Sequence, residues 1–172
     1  MSWWRDIVDR FRNTGVPDGT RDQQTSTKYF DVEHPKGMDT EDLERLDLIF
    51  ERMCSALGMT NTVGAWILSR RAICFKLIGC GAMRYMFGVS GKNKRMFGMT
   101  VPLQDGHSDI YLCDLSEHYV QHELAHAIVF ASRAAPFGYS PALQEAIAKA
   151  IIDLVAHGSP SPTWAELQKD SL

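Results

Sequence analysis

His122-Glu123-Leu124-Ala125-His126 is the stretch on which the reading of this chain turns. Residues four apart share one face of a helix, so both imidazoles can close on a single metal ion with a carboxylate beside them. The HExxH spacing points to a Zn²⁺-dependent hydrolase in which His122 and His126 are ligands and Glu123 is the general base toward water. A shuffled chain of this composition yields such a pentapeptide in roughly 1% of trials, so its surroundings decide its meaning.

Those surroundings favour a buried helix. Asp114-Leu-Ser-Glu117 has the spacing of a capping box, Ser116 is a second candidate cap, and Pro136 sets the latest end. At about 100° per residue, Val120, Leu124, Ala127, Ile128 and Ala131 lie opposite the two histidines. Val129 and Phe130 extend apolar surface beside His126, so the helix is expected to be packed on two sides. A dry wall behind the ligands and an open mouth in front is what a catalytic zinc needs.

A third ligand must come from elsewhere, because Val129 and Ser132 stand where HExxHxxGxxH requires Gly and His. Ser140 as N-cap and Pro141 at the first position open a second helix that ends at His157-Gly158. Its main stripe is Leu143, Ala146, Ile147, Ala150, Ile151 and Leu154, with Glu145 on the opposite side. Ala148, Ile152 and Ala156 continue the face of Glu145 with small or apolar side chains. That face too is expected to pack, which brings Glu145 toward the metal. His157 is the rival, but it lies roughly 18 Å further along the helix, so only one of the two can be a ligand.

The pentapeptide followed by Glu145 within Leu143-Gln-Glu-Ala-Ile-Ala resembles the gluzincin zinc metallopeptidases, particularly the small peptidase-MA-like members, over residues 96–154. The resemblance implies a zincin-like α+β fold: a small mixed or antiparallel sheet, an HExxH helix and a C-terminal helix that carries the third ligand. It implies one Zn²⁺ held by His122, His126 and Glu145, with Glu123 as general base in the hydrolysis of a protein or peptide substrate. It makes residues 109–112 the edge strand that lines up a substrate backbone. Many gluzincins carry an acid four residues after the glutamate ligand, and here that position is Lys149. Asp114, Asp153 or a backbone carbonyl would then orient a ligand histidine. Tyr139 is the candidate for oxyanion stabilisation, with His107 and Tyr119 behind it; His118 reads as solvent-facing or capping.

Two other readings compete. A SprT-like, DNA-associated protease would use His157 as third ligand, a reading suggested by His157-Gly-Ser-Pro-Ser-Pro-Thr-Trp164 and by a basic middle. A non-catalytic binding or regulatory protein could keep a zincin fold, but it would have no use for Glu123.

The rest of the chain frames the site. At 172 residues it reads as a domain with an extension. Residues 1–37 comprise an amphipathic helix (Trp3, Trp4, Ile7, Val8, Phe11) and a polar connector whose few apolar anchors are Tyr29, Phe30 and Val32; residues 38–172 form the metallopeptidase domain. That domain opens with a helix capped by Asp39 or Thr40, striped by Leu43, Leu46, Ile49, Phe50 and Met53, and stopped at Gly58. Short β-branched and aromatic segments at 63–68, 73–77, 85–89, 96–101 and 109–112 read as strands, with 82–86 alternatively a helical turn.

Net charge is −3, yet eight Lys or Arg and no acid lie between Arg52 and Gln104. A solvated sheet face is favoured over a nucleic-acid surface. Cys54, Cys74, Cys80 and Cys113 lack CxxC spacing and read as reduced thiols of a cytoplasmic protein. Neither a secretory leader nor a membrane span is read, although export without a cleavable signal stays open. Oligomeric state is not read from the sequence.

Overall fold

The computed structural model describes residues 15–17, 19–59, 63–87, 96–131 and 141–158. Five strands form one mixed sheet: β1 (Gln23–Ser26), β2 (Asp31–His34), β3 (Ile73–Leu77), β4 (Gly98–Pro102) and β5 (Ser108–Leu112). Their order is β1-β2-β3-β5-β4. The three inner strands are parallel, and β1 and β4 close the two edges antiparallel. The described helices are α1 (Thr40–Ala56), α2 (Val63–Arg70), α3 (Cys80–Phe87), α4 (Glu117–Ala131) and α5 (Pro141–His157).

Strand alternation builds the core. Ile73, Phe75 and Leu77 face one side of β3, and the parallel register sets Phe75 opposite Ile110 and Leu77 opposite Leu112; all five are fully buried. Helix α1 starts where Asp39 accepts the Glu41 N–H (3.1 Å) and buries Leu43, Leu46, Ile49, Phe50 and Met53. An edge-to-face series joins it to the sheet, Phe50 to Phe30 (5.2 Å between centroids) and Phe30 to Phe75 (4.9 Å). Helix α4 packs on β4 and β5 and against α1 and α5, adding Val120, Leu124, Ala127, Ile128 and Ala131 to the same core.

The opposite face of the sheet carries charged residues on β2, β3 and β5. Lys76 Nζ lies 2.8 Å from Asp109 and 3.7 Å from Glu33, while Arg71 pairs with Asp31 (2.9 Å) and donates to the carbonyls of Thr27 and Phe30. Arg52 pairs with Glu117. These members of the basic middle are thus engaged within the protein.

Several expectations change. Residues 63–70 form a helix rather than a strand: Val63 and Ile67 stand one turn apart, and Ile67 is fully buried. Residues 80–87 are helical around buried Met83, so the strand expected at 85–89 is replaced by the helical alternative as far as 87. The stretch read as a polar connector contains β1 and β2, and Phe30 and Val32 are completely buried. Residues 109–112 lie inside the sheet between β3 and β4, and the edge strand beside α4 is β4. Cys80 and Cys113 form a disulfide with their Cα atoms 5.0 Å apart, which corrects the all-thiol expectation; Cys54 and Cys74 are free. The expected N-terminal helix and the segment 159–164 lie outside the described residues. Among the described residues, no helix is long and apolar enough to cross a membrane.

Candidate metal centre

The motif helix begins at Glu117, which places Ser116, the alternative cap, at the cap position instead of Asp114. Asp114 accepts the Ser116 N–H (2.7 Å), and the Ser116 carbonyl receives the first helical bond from Val120 (3.1 Å). The apolar side of α4 faces the sheet, which leaves His122 and His126 on the side where α5 crosses. Ala148 is fully buried at that crossing, and Ile151 and Val155 pack on the same core. The small side chain three residues after Glu145 allows the close approach that delivers its carboxylate.

Three donors converge there. Glu145 Oε2 lies 3.2 Å from His122 Nε2, Glu145 Oε1 lies 3.5 Å from His126 Nε2, and the two Nε2 atoms are 3.3 Å apart. The imidazole planes are inclined at 81°. The donor atoms all fall within 4.8 Å of one another, an arrangement that can hold a metal ion. Two imidazole nitrogens with one carboxylate are a donor set suited to Zn²⁺. Burial and the neighbouring His122 lower the pKa of His126, favouring the neutral ring that a metal requires. Side-chain exposure rises from 11% at His126 through 25% at His122 to 63% at Glu145, so the cluster opens to solvent on the α5 side.

Glu123 is buried against β4. The Thr100 hydroxyl lies 2.7 Å from Glu123 Oε2 and 2.9 Å from its main-chain oxygen, close enough to donate its proton to either. Gly98, two residues earlier on the same face of β4, leaves the space that the carboxylate fills. Burial pushes the Glu123 carboxyl up to about 7; the Thr100 hydrogen bond opposes the rise and the charge of Glu145 adds to it. A carboxyl near neutrality is suited to taking up and returning a proton.

The other sequence candidates are not members of the three-donor cluster. His107 packs edge-on to Trp66 (5.5 Å), and Tyr119 stacks on Phe97 (4.6 Å). His118 is exposed, as are Lys149 and His157, the latter at the far end of α5. Asp114 accepts the Ser116 N–H ahead of α4, and Asp153 is half-buried on α5. Tyr139 lies outside the described residues. Sequence reasoning missed Thr100 and Gly98, whose only local signal is that residues two apart in a strand share a face. No protein family, no characterised protein and no solved structure matches the chain.

Proposed function

We propose that this chain is a zinc-dependent endopeptidase with a zincin-like fold of the gluzincin type. His122, His126 and Glu145 would hold one Zn²⁺, and Glu123 would act as general base. The observation that carries the reading is the meeting of His122 and His126 on α4 with Glu145 on α5, all donor atoms within 4.8 Å of one another, beside the buried carboxyl of Glu123 on α4. Bound zinc would supply Lewis acidity toward a peptide carbonyl and make water a nucleophile at neutral pH.

The chain's own residues account for the rest. Glu123 accepts a proton and can return it to the departing amine, and its burial raises its basicity to match that task. Among the described residues, β4 pairs only with β5. Its open edge offers an extended peptide a row of backbone hydrogen bonds on the strand that holds Glu123. The antiparallel edge strand beside the HExxH helix and the glutamate on the following helix support the zincin-like assignment.

Zinc content and proteolysis of the purified protein, compared with Glu123→Gln, test the reading. Both proteins should hold one zinc, and only the wild type should cleave an unfolded protein such as casein. Equal cleavage by both, or absence of bound zinc from the wild type, would overturn it.

A further inference from the structure

We infer that Thr100 is the positioning residue for Glu123, fixing the direction in which the carboxylate of the general base points. The inference rests on the peptidase reading of the site. Glu side chains have three rotatable bonds, and an untethered carboxylate samples several directions. Here one hydroxyl lies within hydrogen-bond distance of both ends of the residue, Oε2 at 2.7 Å and the main-chain oxygen at 2.9 Å. Thr100 is registered opposite Ile110, a fully buried residue, so it belongs to the face of the sheet that α4 covers.

The choice of partner is informative. A buried carboxylate is most simply stabilised by a cation, yet among the described residues no Lys or Arg pairs with Glu123. A neutral hydroxyl satisfies one oxygen and fixes its direction without adding a charge beside the metal-binding donors. The other oxygen, Oε1, lies beside Gly98, the position at which β4 spares it a side chain. Thr100 thereby occupies one carboxylate oxygen and sets the orientation of the other, and it touches none of the three metal-binding side chains in the described contacts.

Thr100→Val keeps the shape and removes the donor, and Thr100→Ser restores the donor. Each should bind one zinc like the wild type. On a casein-derived peptide, Thr100→Val should lower kcat by about 10- to 100-fold with KM within about twofold, and Thr100→Ser should recover to within about threefold.

A second readout does not need turnover. In cobalt-loaded protein the visible absorption of Thr100→Val should shift in the direction of Glu123→Gln, while Thr100→Ser should match the wild type. Wild-type kcat in Thr100→Val, failure of Ser to restore it, or a cobalt spectrum unchanged by Val would each overturn the inference. If the wild type cleaves nothing, the peptidase reading fails and the cobalt spectra alone decide the role of Thr100. Should Thr100→Val not fold, Thr100→Cys, a weaker donor of similar size, carries the same comparison.

Discussion

Gly98 and Glu123 share a space that admits only one of their side chains: a Cβ built on Gly98 would lie 2.6 Å from Glu123 Cγ and 2.7 Å from Oε1. Gly98→Ala must therefore move either the edge strand or the carboxylate. Because Thr100 on the same strand holds Glu123, both movements disturb that hydrogen bond. The substitution is expected to cost about 1–3 kcal/mol of stability through overpacking and to lower cleavage at least about tenfold. Bound zinc should stay stoichiometric, since the donors come from α4 and α5. Metal analysis, peptide cleavage and urea unfolding of the variant check this, and wild-type cleavage would show that the gap is not required.

Glu123 also gives a pH dependence. Burial raises its carboxyl from 4.5 to about 7, so between those values the folded metal-free protein keeps a proton that the unfolded chain has released. Stability then falls as pH rises through that window, by about 3 kcal/mol in all at about 1.4 kcal/mol per pH unit. Glu123→Gln has no proton to lose there. Its stability relative to wild type should grow by about 3 kcal/mol between pH 4.5 and 7.5 in the presence of a chelator. The lowered pKa of His126 acts in both proteins and leaves the difference in place. Urea midpoints at a series of pH values measure it; a constant difference would mean that the buried carboxyl titrates normally.

The third ligand separates the gluzincin-type reading from its SprT-like rival. Glu145 lies 3.2 and 3.5 Å from the two imidazoles, whereas His157 is exposed near the end of α5. Groups that only orient a ligand contribute about 10- to 100-fold to metal affinity, so Glu145→Ala should weaken zinc binding by at least about 100-fold. His157→Ala should leave it unchanged. Competition with a chromophoric chelator gives both values, and the reverse pattern would move the third ligand to His157.

The parts of this site that could be read in the sequence are those set by short-range geometry. His122, Glu123 and His126 follow from helical periodicity, and Glu145 became readable because Ala148 continues its face. Thr100 and Gly98 could not be found in the same way, because β5 inserts between β3 and β4 and no local pattern encodes that order. Strand β1 left even less signal: as an edge strand with three of its four residues exposed, it has no apolar alternation to display. Val63 and Ile67 misled in the opposite sense, since β-branched residues suggest a strand while residues 63–70 form a helix that buries Ile67. The acids that pair with Lys76 and Arg71 come from other strands, so the basic middle looked unpaired only along the sequence.

The disulfide has its own measurable consequence. Cys80 opens α3 and Cys113 follows β5, and the bond closes a sequence separation of 33 residues. A loop of that length corresponds to about 3–4 kcal/mol in the chain-entropy description. Reduction, or Cys80→Ser with Cys113→Ser, should lower stability by about 2–4 kcal/mol. Unfolded without reductant, the protein should expose only the thiols of Cys54 and Cys74 to a thiol reagent. Reaction of all four cysteines would show that the bond is absent.

Phe30 tests where the folded unit begins. It is completely buried, packs edge-to-face with both Phe50 and Phe75, and precedes β2, the neighbour of β3. Phe30→Ala removes a ring that links helix α1 to the sheet, at an expected cost of about 3–5 kcal/mol. A chain beginning at residue 38 would lose β1, β2 and Val32 as well and expose the β2-facing edge of β3. It should lack a cooperative unfolding transition and bind zinc weakly, because α1 supports α4 from the same core that Phe30 completes. Circular dichroism melts and zinc titration of the truncated chain decide the matter. Cooperative melting with full zinc affinity would make the first two strands an accessory to the domain rather than part of its core.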